Sequence, residues 1–296
     1  MRKYCQVASL RFSLEMADSC PLWGRLGNYT PFETASAGTD LLFDLSAGPD
    51  SFVGLDKFRQ IPLGDVEKDM PRIDVYDGEN SWLFQMAPTQ QAPICGQLLC
   101  SHDFRKGRLF FQPESGDSQR IFCINNALML MFAFRTSTLG TLEMHASVIR
   151  NSGKGFLFLG KSGTGKSTHS RLWQEAFADA RLLNDDNPVL RLLDNGEVRV
   201  YGSPWSGKTP CYVNKDVPVG SIVKLSQAPQ NEIHPLRLPE AYAYMLSSCS
   251  GLKIVPEMMD ALYTTIAGII QTIQVYHLDC LPNTDAARLC EATVNK

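Results

Sequence analysis

The stretch Phe156-Leu157-Phe158-Leu159-Gly160-Lys161-Ser162-Gly163-Thr164-Gly165-Lys166-Ser167-Thr168 decides the reading of this sequence. Its four leading apolar residues read as a short buried strand. Gly160 to Ser167 match G-x-x-x-x-G-K-[ST] in full. Beyond them Leu172, Trp173, Ala176 and Phe177 give one apolar face to a helix that runs through about Phe177. A glycine-rich loop between a strand and a helix suits phosphate. Its glycines accept positive φ and let the backbone come close to an anion. Successive backbone N–H groups form a concave nest, and the helix points its positive end at the same place. Lys166 would bridge β- and γ-phosphate oxygens, and the Ser167 hydroxyl would be a ligand of bound Mg²⁺.

One helix and one turn after Lys166, the run Arg181–Leu183 ends in Asn184-Asp185-Asp186. A right-handed return would bring both carboxylates to the C-terminal end of a neighbouring strand, beside the loop. Two carboxylates there divide the labour. One would hold Mg²⁺, and the other would take a proton from an attacking hydroxyl. Upstream, Met144–Ile149 reads as a strand carrying His145.

Taken together, Met144-His145-Ala146-Ser147, the run Gly155 to Thr168 and Leu182-Leu183-Asn184-Asp185-Asp186 resemble the catalytic domain of HPr kinase/phosphorylase. The same P-loop core occurs in ATP-dependent phosphoenolpyruvate carboxykinase. The segments Gly202–Lys208, Ile222–Ala228 and Asn231 look like those of diverged, HPr-kinase-like proteins of bacterial gene clusters. The resemblance spans roughly residues 142–290. It implies an α/β fold, an HPr-kinase/PEP-carboxykinase-like P-loop core, behind an N-terminal β-rich domain. It implies ATP and Mg²⁺ as cofactors, with Gly160, Ser162, Gly163, Thr164, Gly165, Lys166, Ser167 and Thr168 around the phosphates. By position, Asp185 would be the general base, Asp186 with Ser167 the metal partner, and His145 a neighbour that tunes the Asp pair alongside Lys166. Tyr201–Lys208 replaces the glycine-rich signature that true HPr kinases carry after the Asp pair.

The first ~120 residues carry no such motif. Tyr4–Ser13 alternates as one strand, and Asp40–Leu45, Ser51–Leu55, Ile73–Tyr76, Ser81–Gln85 and Arg108–Gln112 read as further strands. A buried helix fits Asn125–Thr138, apolar nearly all round, with Gly140 to end it. This divides the chain into an accessory or substrate-facing domain, 1–122, and a catalytic domain, 123–296, with the boundary set to within about ten residues.

Composition narrows the function classes. The chain has 296 residues, 44% hydrophobic and 20% charged, with a net charge of −3. That is not the balance of a protein that coats nucleic acid, and no basic–aromatic stripe argues for one. No apolar run approaches the ~20 residues that span a bilayer. Nine cysteines without a secretory signal read as free thiols in a reducing cytoplasm. Cys95 and Cys100 lack a second pair at zinc-ligand spacing.

The expected function is an ATP- and Mg²⁺-dependent kinase. It would phosphorylate a hydroxyl, serine foremost, on a small protein, peptide or metabolite. No nucleic acid or membrane partner is expected, and an oligomer is left open. The alternatives are a non-catalytic nucleotide-binding sensor or scaffold, and an ATP hydrolase. Trp205 and Lys208 would line the acceptor pocket or merely form a turn. Arg171 reads as a surface ion pair, and His169 as a half-exposed residue on the first helical turn. Lys224 and Arg237 are further phosphate candidates, and His277 a structural residue.

Overall fold

Ala8 and Ser9 hold φ of 50° and 65°, so the alternating run at the N-terminus turns back on itself there. The run is two strands, β1 (Arg2–Val7) and β2 (Leu10–Glu15), paired antiparallel with Val7 opposite Leu10. A two-residue turn with positive φ at both positions normally announces itself with Asn or Gly. Neither is present, and the alternation therefore reads as unbroken.

The structure is a computed structural model and describes residues 1–35, 38, 40–48, 51–63, 71–207, 209–250 and 255–295. It divides into two units, Met1–Arg135 and Thr136–Lys296. Each is built on a large mixed sheet.

In the first unit the remaining strands are β3 (Glu33–Thr34), β4 (Phe43–Gly48), β5 (Phe58–Ile61), β6 (Arg72–Gly78), β7 (Ser81–Ala87), β8 (Gly96–Ser101) and β9 (Lys106–Phe111). The sheet order is β3-β1-β2-β4-β9-β8-β7-β6-β5, parallel only at β2–β4 and β4–β9. Ser51–Leu55 forms no strand, whereas β8 was hidden from the sequence reading. Helix α1 (Asp117–Thr136) starts and ends earlier than expected and groups with this sheet up to Arg135. Its Phe132 meets Phe12 edge-on at 6.1 Å, and Phe134 stacks on Phe84 at 5.8 Å. Cys123, Ile124, Ala127, Leu128 and Met131 are fully buried, as an all-round apolar helix requires.

The second unit holds β10 (Thr141–Glu143), β11 (Ala146–Asn151), β12 (Lys154–Leu159), α2 (Lys166–Ala176), β13 (Arg181–Asp186), β14 (Val189–Leu192), β15 (Val198–Tyr201), β16 (Asp216–Gln227), β17 (Glu232–Pro235), α3 (Leu238–Ser248), α4 (Pro256–Thr272), β18 (Val275–Cys280) and α5 (Thr284–Val294). The order is β10-β14-β15-β16-β12-β11-β13, with β18 on β16 and β17 on β18. Alternate residues of β12 serve opposite faces. Phe156 and Phe158 pack with Trp173 of α2 and Ala287 and Cys290 of α5. Leu157 and Leu159 pack with Met245 of α3 and Ile266 and Ile269 of α4. Each fully buried side chain of this size contributes about 1.5–3 kcal/mol, so β12 anchors both faces of the sheet.

The strand that ends in Asp185-Asp186 is not the direct neighbour of β12. β11 lies between them, antiparallel to both. β12 and β13 therefore run the same way, and their C-terminal ends still lie on one edge of the sheet.

Candidate functional site

Gly160, Gly163 and Gly165 carry φ of 157°, 77° and 106°. Gly165 is the N-cap of α2 in the left-handed region, which side chains rarely enter. The loop thus turns from β12 into α2 at a residue that only glycine fills comfortably. Thr164 Oγ1 donates to the Lys161 carbonyl at 2.7 Å, and Gln227 Nε2, at the end of β16, donates to the Gly163 carbonyl at 3.2 Å. Ser162 is exposed, and Thr168 is half-buried on the first turn of α2.

Lys166 is nine-tenths buried and folds back over the loop. Its Nζ donates to the Gly160 carbonyl at 2.8 Å and lies 3.1 Å from His145 Nε2. The same His145 nitrogen lies 3.3 Å from Asp186 Oδ1. Unprotonated, Nε2 accepts from Lys166; protonated, it donates to Asp186. Ser167 Oγ donates to Asp185 Oδ1 at 3.0 Å. Lys166, Ser167, His145, Asp185 and Asp186 thus come together at one end of α2.

The two aspartates separate because they occupy successive positions of β13. Asp185 pairs with Ser147, whose hydroxyl bonds Ser170 of α2, so it shares the α2 face. Asp186 pairs with Ala146, which packs into the core on the opposite face. Asp186 also holds φ of 134°, a conformation non-glycine residues rarely adopt.

Three supports of this corner were missed in the sequence. Asn184 is fully buried, and its Nδ2 donates to Ser203 Oγ at 3.1 Å, while its Oδ1 accepts from the Asn187 amide at 3.0 Å. Ser206 Oγ and the Gly207 amide both donate to the Asp185 carbonyl, at 3.0 and 2.8 Å. Glu143 is buried, and neither carboxylate oxygen has a hydrogen-bond partner among the described residues. Burial first, and then the charge of Asp186, push its pKa well above the usual carboxylate range. Gly202 to Gly207 was legible as a turn; nothing in Leu142-Glu143-Met144 marks Glu143.

Trp205 is buried at 4% exposure, and Lys208 lies outside the described residues. Arg171 pairs with Glu175 at 3.7 Å on the surface. His169 is buried rather than half-exposed, because Phe158 and Trp173 close over it. Its Nε2 accepts from the Trp173 indole at 3.1 Å, and burial lowers its pKa to about 4.

The model of the family described as SynChlorMet cassette protein ScmC matches residues 111–280. The chain belongs to the ScmC family. The family match takes in the loop, His145, both aspartates and Lys224. Among solved structures, the chain is similar to the Hpr(Ser) kinase/phosphatase from Coxiella burnetii. Identity is 15%, the TM-score is 0.31, and the alignment covers 51% of this chain and 93% of that one. Comparison with curated proteins finds no match. Among the described residues, which include all nine cysteines, there is no disulfide. Among the described residues no helix is long and apolar enough to cross a membrane.

Proposed function

We propose that this ScmC-family chain is an ATP- and Mg²⁺-dependent kinase that transfers the γ-phosphoryl group to a hydroxyl, serine foremost, of a small protein, peptide or metabolite. The observation that carries the reading is the convergence of Lys166, Ser167, Asp185, Asp186 and His145 at the mouth of the glycine-rich loop. A glycine-rich loop at a helix N-terminus, a buried ammonium and neighbouring carboxylates suit phosphoryl transfer, in which positioning and charge do most of the catalysis. Nine cysteines without a disulfide among them suit a reducing compartment.

The residues fit a phosphate-borne cation. Mg²⁺ keeps several waters and needs only one or two protein oxygens, and Ser167 Oγ and Asp185 Oδ1 lie side by side. Among the described residues no group of three or more His, Cys, Asp or Glu could hold a metal by itself. When bound, the cation would neutralise charge on the β- and γ-phosphoryl oxygens. The side-by-side oxygens favour Asp185, with Ser167, as its holder. That reverses the order of roles inferred from the sequence and leaves Asp186, beside His145, as the proton acceptor.

In the transfer, Lys166 orients the γ-phosphoryl group as it releases His145. Asp186 takes the proton of the acceptor hydroxyl. That oxygen forms the new P–O bond as the bond between the γ-phosphorus and the bridging oxygen breaks, and ADP leaves with that oxygen. His145, with Nε2 3.3 Å from Asp186 Oδ1, holds Asp186 in place and can take on the proton that Asp186 has received.

The test is a thermal-shift panel with ATP, GTP and pyrophosphate, each with and without Mg²⁺, on wild type and Lys166→Ala. A ligand at about 100 times its Kd adds about 2.7 kcal/mol to stability. A Mg²⁺-dependent shift that vanishes in the variant is expected, followed by a phosphate mass increment on the acceptor. No shift with any of the three ligands would overturn the reading. Release of ADP and inorganic phosphate at the same rate with and without acceptor would replace it with a hydrolase.

A further inference from the structure

A second polar cluster stands on the same edge of the sheet as the loop. The registers place Asp186, Ala146, Leu159, Lys224, His277 and His234 in one row across β13, β11, β12, β16, β18 and β17. Cross-strand partners share a face, so Lys224 and His277 lie on the Asp186 side of the sheet. Three strand spacings separate Lys224 from Asp186, about 14 Å between Cα atoms.

Lys224 Nζ lies 3.1 Å from His277 Nε2 and also donates to Ser226 Oγ. Ser226 Oγ lies 2.9 Å from the same His277 nitrogen. The Tyr244 ring of α3 sits 5.1 Å from Nζ. Counting hydrogens shows a surplus of donors. Lys224 brings three hydrogens and Ser226 one. Inside the cluster the acceptors are one lone pair on His277 Nε2 and the Ser226 oxygen. Nε2 accepts from Lys224 or from Ser226 but not from both, and the Ser226 oxygen offers two lone pairs, so at least one of the four donors is left pointing outward. If Nε2 is itself protonated, it donates to Asp279 at 3.4 Å, and the surplus grows. Lys224 makes no ion pair among the described residues, and its pKa is lowered by burial. The Asp279 carboxylate opposes that shift from a distance without pairing with Lys224, and a half-buried ammonium with spare donors and no direct ion pair is built to meet an oxyanion.

We propose that Lys224, Ser226 and His277 form an oxyanion subsite at the C-terminal ends of β16 and β18, and that it holds a carboxylate or phosphate carried by the phosphate acceptor. The second half of this assignment rests on the kinase reading above. The subsite faces the Asp186 side of the sheet, and the Gln227 side chain next to it ties its strand to the loop. The spacing selects acceptors whose anionic group lies roughly 10–14 Å from the reacting hydroxyl, the reach of about four extended peptide residues.

The test titrates inorganic phosphate and acetate into the full chain and follows the side-chain nitrogens of His277 by long-range ¹H–¹⁵N spectroscopy. Wild type and Lys166→Ala should show the same saturable shift of His277. Lys224→Met, or Ser226→Ala if that variant does not fold, should weaken it about tenfold, the loss of one charge-assisted hydrogen bond. A response that never saturates, or that both variants leave untouched, marks an adventitious ion only and overturns the subsite. If Mg²⁺-ATP competes phosphate away from His277 in wild type, the subsite belongs to the donor and the acceptor assignment falls. If phosphate titrates His277 as expected but no nucleotide binds anywhere, the kinase reading fails while the oxyanion subsite stands.

Discussion

Ser167 Oγ donates to Asp185 Oδ1 across 3.0 Å, while the next residue, Asp186, faces His145 instead. One peptide step thus sends two adjacent carboxylates to opposite faces of β13. The split predicts separable phenotypes. Ser167→Ala and Asp185→Asn should weaken the Mg²⁺-dependent part of nucleotide binding, with little effect on binding without the cation. Asp186→Asn should keep Mg²⁺-nucleotide affinity and lose a hundredfold or more of the transfer rate, the usual scale for a general base. Titration calorimetry and single-turnover transfer assays separate the two. The opposite pattern would restore the roles inferred from the sequence.

The corner that holds Asp186 predicts a second separation, between activity and stability. A Cβ on Gly207 would sit 3.0 Å from the Asp186 side chain, whereas one on Gly202 would sit 1.9 Å from the Val213 carbonyl oxygen. Gly207→Ala should press on the Asp186 side chain from Cβ to carboxylate and lower turnover, with a smaller change in melting temperature than a backbone clash. Gly202→Ala meets backbone and should lose about 1–3 kcal/mol or more, the range for overpacking. Denaturant midpoints beside initial rates decide. Equal losses of stability in both variants would show that Gly207 serves only the turn.

What was legible in the sequence is what sits in one contiguous run. Gly160 to Thr168 specifies its own turn, helix start and anion nest, because each feature depends on residues within a few positions. What was not legible depends on pairing at a distance. Apolar content marks Met144–Ile149 as a strand, but not that the strand found there, Ala146–Asn151, inserts between β12 and β13. The row that brings Lys224 into line with Asp186 exists only once four strands are in register. The hairpin at Ala8-Ser9 is hidden because its residues adopt positive φ without the usual Asn or Gly. Asn184 and Ser203 look like ordinary turn residues until the fold buries both.

His169 predicts an acid-sensitive term in stability. Its pKa is about 4 in the folded chain, against 6.5 for the free group, because burial disfavours the charged ring. Between those values the unfolded chain binds a proton that the folded chain refuses. Stability from this residue is therefore complete above pH 6.5 and falls as the pH drops toward 4. The loss amounts to at most about 3 kcal/mol. His169→Gln should flatten the slope of urea stability against pH in that window. An unchanged slope would assign the acid loss to other groups.

Glu143 predicts the opposite sign. Its pKa is raised in the folded chain, by burial and then by Asp186, so folding favours the protonated acid. Its contribution is fully present below the ordinary 4.5 and is lost as pH rises through the folded value. Glu143→Gln keeps the shape and cannot ionise. It should gain on wild type as pH rises, and the two should converge in acid. Asp186→Asn removes the second cause of the shift, lowers the Glu143 pKa, and should shrink the same pH-dependent loss. The check is urea unfolding of the four chains — wild type, both single variants and the double — across the pH range. A gain for Glu143→Gln that does not grow with pH would mean that Glu143 finds a partner in solution. A gain of the same size in the Asp186→Asn background would mean that the two carboxyls do not sense each other.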